Sequence, residues 1–241
     1  MCTICDAPIA AGEPHRRVIR RGPDGSRRPA AYTHDVCRSA PKVVPFITKR
    51  ESERVPSPTI ANRVVGGIGY VGEVPSDRDR GVLWRRSVNA RDRSRPLYSE
   101  IHPGRQCLAM RHELCQVCGE PADRDERGVL WLIEEDRDAW VGWPTELVTT
   151  HPPICRPCLQ VARSQCPHLW AGTVAVRVGR SEVSGVYGQR YTQGPFGPRP
   201  LSMDVVEFAS PLIRWTVAAQ LVRTLYDCKI VRVAEELATL P

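Results

Sequence analysis

Hydrophobic and polar positions alternate through Thr173-Val174-Ala175-Val176-Arg177-Val178, which puts three valines on one face of a strand. Segments 183–191 and 203–208 predict further strands. Ser210-Pro211 reads as a helix start, with Ser as the cap and Pro at the first helical position. A helix is expected from there to about Asp227, because Val217, Leu221 and Leu225 recur at helical spacing while Arg214 and Arg223 face solvent. A last strand is expected over 229–233. Earlier in the chain, 128–133 reads as a strand behind a polar turn. Leu159 and Ala162 mark one side of a short helix that opens at Cys155. The class these elements predict is α+β.

The pattern divides the chain into four parts. Residues 1–40 and 115–172 are cysteine-rich units. Residues 41–114 form a connecting region rich in Arg, Pro and Gly, and 173–241 form the C-terminal strand and helix region. One local echo crosses these boundaries. Asp77-Arg78-Asp79-Arg80-Gly81-Val82-Leu83-Trp84 resembles Asp123-Arg124-Asp125-Glu126-Arg127-Gly128-Val129-Leu130-Trp131. Both read as a polar turn followed by a strand, and we expect two similar hairpin edges, not a repeat fold.

Composition narrows the classes. The chain has 241 residues, enough for one large domain or two small ones, and 41% hydrophobic with 25% charged residues excludes a disordered chain. Only 6% of residues are aromatic while 22 are proline, so modest cores that gain from metal staples are expected. No apolar run reaches the length of about 18 residues that a membrane span needs, so none is expected. Met1-Cys2-Thr3-Ile4-Cys5-Asp6 has no basic or apolar signal-peptide region, and a cytoplasmic protein is expected. In a reducing cytoplasm, ten cysteines read as metal ligands before they read as disulfides.

The spacing of those cysteines carries the chemistry. Cys115-Gln116-Val117-Cys118-Gly119 is a zinc knuckle: two thiolates three apart bite one ion, and Gly permits the tight turn. Cys155-Arg156-Pro157-Cys158 opens a helix, whose free amides favour thiolates. Together Cys115, Cys118, Cys155 and Cys158 make a Cys₄ site. In the first unit Cys2, Cys5, His34 and Cys37 make a Cys₃His site across a hairpin that turns at Gly22-Pro23-Asp24-Gly25. Two Zn²⁺ ions are expected. Seven thiolates and two dications would bring the formal charge from +7 to about +4.

Both units resemble treble-clef zinc fingers, in which a knuckle and a hairpin precede a ligand pair at a helix start. That fold group includes the HNH endonucleases, which place one His on the hairpin and another on the helix. Here 128–133 and 159–165 hold no His, and His151 is the nearby one. The resemblance therefore implies structural zinc, with a degenerate HNH-type nuclease as a further alternative. From Cys115 onward, with Gly185-Val186-Tyr187-Gly188 and Arg214-Trp215, the chain also resembles uncharacterised zinc-finger proteins of actinobacteria. That likeness implies a bacterial origin and no activity.

Other zinc and thiol chemistries lack a part. His112-Glu113-Leu114-Cys115-Gln116 has Gln where a zincin needs its second His. No His-x-Glu accompanies Pro153-Ile154-Cys155-Arg156-Pro157-Cys158, as a deaminase would require. A four-thiolate site leaves no coordination position for a reacting water. Partners are suggested by charge. Residues 1–114 carry 21 basic and 12 acidic side chains, and 115–172 carry 5 and 9. Arg16, Arg17 and Arg20 with Arg85, Arg86, Arg91, Arg93 and Arg95 could bind DNA or RNA, beside Trp84 and Tyr98. The same arginines could instead pair with Asp77, Asp79 and Asp92 in a solvated loop. The acidic unit suits a protein partner. The expected function is a nucleic-acid-binding regulatory or accessory protein, with a protein-interaction adaptor as the alternative.

Overall fold

The computed structural model describes residues 43–90, 92, 94–134, 143, 145–165 and 173–238, with the backbone alone at 15–18, 31–34, 134 and 164. Strand accounts for 47% and helix for 20%, and eight strands join in one curled sheet that forms a half-barrel. This corrects the expected class, α+β built on two treble-clef-like zinc units: the frame is a sheet.

In chain order, β1 (His15–Val18) and β2 (Ala31–His34) make an antiparallel hairpin. β3 (Thr48–Arg50), β4 (Ile60–Asn62) and β5 (Ile68–Tyr70) are short. β6 (Arg78–Asp79), β7 (Val82–Trp84) and β8 (Pro96–Ile101) lead to helix α1 (Pro103–His112). β9 (Arg124–Asp125), β10 (Gly128–Glu134) and β11 (Glu146–Thr149) precede helix α2 (Arg156–Gln165). Two long strands, β12 (Thr173–Gly194) and β14 (Thr216–Val231), flank β13 (Gly197–Glu207), and α3 (Val233–Ala238) follows. The sheet order is β6-β7-β14-β12-β10-β9, with β13 added to β12 and β11 to β14.

The axis of the sheet is the β12–β14 pair, which runs antiparallel from Ala175↔Val231 to Arg190↔Thr216 with two register shifts. The shifts curl the sheet. Gly188 lies at one of them, where a Cβ would stand 2.3 Å from the Val217 carbonyl oxygen, so no side chain fits.

The expected helix over 211–227 is the main local correction. Ser210 does cap: its Oγ accepts from the Leu212 amide at 3.3 Å. Only Pro211–Trp215 turn, as a 3-10 helix, and the chain then extends as β14. Val217, Leu221 and Leu225 are four apart, and four is also a multiple of the strand period, so their spacing fits either element. Burial decides. Residues 216–219 and 221–225 are all buried, on both faces, as in a strand with neighbours on either side. The expected strand over 229–233 is the end of β14 followed by the start of α3.

Helix α1 was not foreseen in the connecting region. His102 caps it, accepting from the Arg105 amide at 3.1 Å, and Pro103 fills the first position. The helix repairs a gap in the sheet. On one side of β14, β7 covers 217–218 and β11 covers 223–226. Between them Gln106 stands in for a strand. Its Oε1 accepts from the Leu221 amide at 2.9 Å and its Nε2 donates to the Leu221 carbonyl at 3.0 Å. Cys228 and half-buried Cys107 act as small core residues. Cys166 lies outside the described residues.

Candidate metal centre

Alternation along β10 sorts its side chains between two layers. Val129, Trp131 and Ile133 face a core with Val176, Val178 and Leu225. Leu130 and Leu132 face the other way, onto Cys115, Val117, Ile154 and Leu159. The cysteines therefore sit on the outer face of β10, with apolar side chains beneath them.

Backbone hydrogen bonds set the two ligand pairs. The Cys115 amide donates to the Glu120 carbonyl at 2.7 Å, and the Gly119 amide to the Cys115 carbonyl at 2.9 Å, closing the knuckle. Gly119 has φ +80, the left-handed region, and a Cβ there would stand 2.8 Å from the Phe46 ring. Opposite, the Ile154 amide donates to the Leu130 carbonyl at 3.0 Å, which fixes the approach to α2. The expected strand over 128–133 and the helix opening at Cys155 are both present.

The ligand atoms converge. The Sγ atoms of Cys115, Cys118, Cys155 and Cys158 all lie within 4.8 Å of one another. Cys118 Sγ and Cys155 Sγ are 3.8 Å apart, too far for a disulfide. Tetrahedral sulfurs on bonds of about 2.3 Å stand about 3.8 Å apart, so the spacing suits a coordinated ion. The Val117 amide donates to Cys115 Sγ at 3.4 Å. Cys115 is buried, Cys155 and Cys158 are half-buried, and Cys118 is exposed.

Crowding shows in the proton affinities. Burial pushes the Cys115 thiol up, but amide donors at Cys118, Cys155 and Val117 outweigh it and hold the thiol below its ordinary value. Burial pushes Cys155 up to about 11, and the charge of Cys115 adds to the effect. Burial and Cys115 raise Cys158 as well. Four thiolates here need a cation, and binding one would release protons. The group can hold one metal ion.

No family model, curated protein or solved structure matches the chain. The site is therefore read from its own geometry.

The other expected ligands and contacts fall as follows. Cys2, Cys5 and Cys37 lie outside the described residues. His34 is described only as backbone, in β2, opposite His15. The first unit thus has its hairpin, while a second metal site is not shown. Arg20, Arg91 and Arg93 are outside the described residues, and Arg16 and Arg17 are backbone of β1. Arg86 is engaged: it donates to both Asp77 oxygens at 2.7 Å and lies 5.1 Å over the Tyr70 ring. Arg95 is exposed and 3.3 Å from Glu51, and Arg85 is exposed.

His151 lines a cavity of about 290 Å³ with Ile133, Trp143, Thr149 and Tyr187. Ile133 belongs to the inner layer, so this cavity and the cysteines lie on opposite faces of β10.

A charge network escaped the sequence reading. Arg177, fully buried, ion-pairs with fully buried Glu236 of α3, and its Nη2 is 2.7 Å from Asp123 Oδ1. Arg127 reaches Glu236 at 2.8 Å and Asp125 at 2.6 Å. Arg156, between Cys155 and Cys158, lies 3.3 Å from Asp123, Asp125 and Glu236. Asp123, Asp125 and Glu236 are close enough to hold a cation. Three guanidinium groups already balance them, so the group reads as an ion network. Its one sequence signal was an arginine at position 177 inside a valine-rich strand.

Proposed function

We propose that the four-cysteine group binds Zn²⁺ and that this ion is structural. Four thiolates saturate a tetrahedral ion and leave no position for a reacting water. The ion would clamp the Cys115–Gly119 knuckle and the start of α2 onto β10, next to one edge of the half-barrel. The observation that carries the reading is the convergence of four Sγ atoms within 4.8 Å.

On this reading the chain is a binding protein, and of its two alternatives we favour the protein-interaction adaptor over the nucleic-acid-binding one. Arg86 supports that choice, because it is spent on Asp77 and Tyr70 inside the fold. Metal analysis of the purified chain tests the zinc: the Cys115/Cys118/Cys155/Cys158 quartet should bind zinc, and Cys118→Ser should lower the zinc content by one ion. Cobalt in that site should give the intense visible bands of tetrahedral thiolate coordination. A folded, zinc-free chain would end the proposal. A gel shift with duplex DNA or RNA tests the adaptor reading: salt-sensitive binding lost in Arg85→Ala/Arg86→Ala would restore the nucleic-acid alternative.

A further inference from the structure

Two hairpins carry exposed apolar residues at their tips. β12 pairs with β14 only as far as Arg190↔Thr216, while β12 and β13 continue together to Gly194↔Gly197. Residues 191–200 thus run past the end of β14 as a two-stranded ribbon. At about 3.3 Å per residue the ribbon reaches about 15–20 Å beyond it. Its turn is Pro195-Phe196, and Phe196 is 103% exposed. The β4–β5 hairpin turns through Val64 and Val65, which are 106% and 72% exposed. Neither tip contributes to the core.

Both hairpins are rooted in one cluster. Tyr191 of the ribbon and Ile60 and Ile68 of β4 and β5 pack together with Trp215. Gly67, next to the β4–β5 tip, abuts Arg214: a Cβ there would stand 2.5 Å from the Arg214 carbonyl. The sequence around the tips is poor in acidic residues, and Glu73, whose carboxylate lies beside Gly69 and Arg63, is the acidic group at the foot of the β4–β5 hairpin. No acidic residue occurs between Glu182 and Asp204, between Glu53 and Glu73, or between Glu207 and Asp227. Arg63, Arg199 and Arg214, all exposed, lie in these stretches.

We propose that these tips dock the protein on an anionic lipid surface. Phe196, with Val64 and Val65, would enter the boundary between headgroups and acyl chains, and Arg63, Arg199 and Arg214 would meet lipid phosphates. Protruding apolar tips fit a soft interface, where no matching pocket is needed. The ribbon carries few cations, and Arg190 is held 2.9 Å from Asp204, which gives it little for tracking a nucleic-acid backbone. This inference rests on the two hairpin tips and the arginines beside them and does not depend on the metal reading.

Vesicle co-sedimentation of the full, metal-loaded chain tests it. Vesicles with about 30% phosphatidylglycerol in phosphatidylcholine should bind at least tenfold better than phosphatidylcholine alone. Phe196→Asp should lower that binding roughly tenfold, and Arg199→Ala/Arg214→Ala roughly threefold. Phe196→Trp, which leaves the exposed tip apolar, should show blue-shifted emission with vesicles and quenching by brominated acyl chains. Absence of vesicle binding, binding unchanged in Phe196→Asp, or an unshifted Phe196→Trp spectrum would each overturn the proposal. Phe196-dependent binding to duplex DNA without vesicle binding would also overturn it, in favour of a nucleic-acid arm.

Discussion

The two segments that echo each other, 77–84 and 123–131, become the two ends of one sheet. β6–β7 closes one edge and β9–β10 the other. The local geometry follows the shared sequence: a polar turn, then a strand that enters the sheet. What lies behind each hairpin differs. β7 meets β14 at two positions, and its hairpin is held by separate ion pairs: Arg78 to Glu73 at 2.7 Å, Arg86 to buried Asp77, and Arg111 to Asp79. β10 meets β12 at six positions and has the cysteine group on its outer face. Behind its turn lie buried Arg177 and Glu236. A turn motif therefore specifies a hairpin without specifying what anchors it. One edge is pinned by pairs worth about 0–1 kcal/mol each when exposed. The other carries the four-cysteine group and a buried ion network, and breaking a buried pair costs more.

Removing the metal should break the comparison most. If zinc occupies the site, a strong chelator or Cys155→Ser should cost on the order of several kcal/mol, because binding energy there is folding energy. Hydrogen exchange should report the loss on β9, β10 and α2 first, while the amides of β7 stay protected. Uniform loss over both edges would mean that the sheet unfolds as one unit.

The next largest effect belongs to Arg177. Arg177→Met leaves Glu236 buried beside Arg127 and Arg156 alone, and breaking such a pair costs about 3–5 kcal/mol. Arg177→Met with Glu236→Leu should recover part of that loss, since an apolar pair of similar volume fills the space. Denaturant titration measures both. A double variant no more stable than the single one would show that Arg177 acts through its packing.

Arg177 and β14 also show where the sequence was legible. The Cys115, Cys118, Cys155 and Cys158 quartet could be read because metal chemistry imposes spacing within a few residues, and the same holds for the β10 strand and the start of α2. β14 could not, because three residues spaced by four satisfy both periods, and only its neighbours in space choose the strand. Gln106, filling a gap on β14 115 positions away, has no local signature at all. Nor does Glu236, which meets its partner across 59 positions. Pairings of that range are set by topology, and topology was the part that the zinc motifs obscured.

The smallest effect sharpens the contrast on the β6–β7 side. Hydrogen bonds from Arg86, outweighing the cost of burial, hold the Asp77 carboxyl below the usual carboxylate range. Between that value and the unfolded value of about 3.9, the unfolded chain binds more protons. The pair's stabilisation is thus present above about pH 4 and is lost as pH falls through the folded value of Asp77. Arg86→Ala should destabilise the fold at neutral pH and do so less in acid. Arg95→Ala, at an exposed pair with Glu51, should stay within about 0.5 kcal/mol throughout. Urea titrations at neutral pH and at about pH 3 separate the cases. If the Arg86→Ala loss keeps its full size in acid, the cation over the Tyr70 ring is what secures this edge, because that contact does not titrate with Asp77.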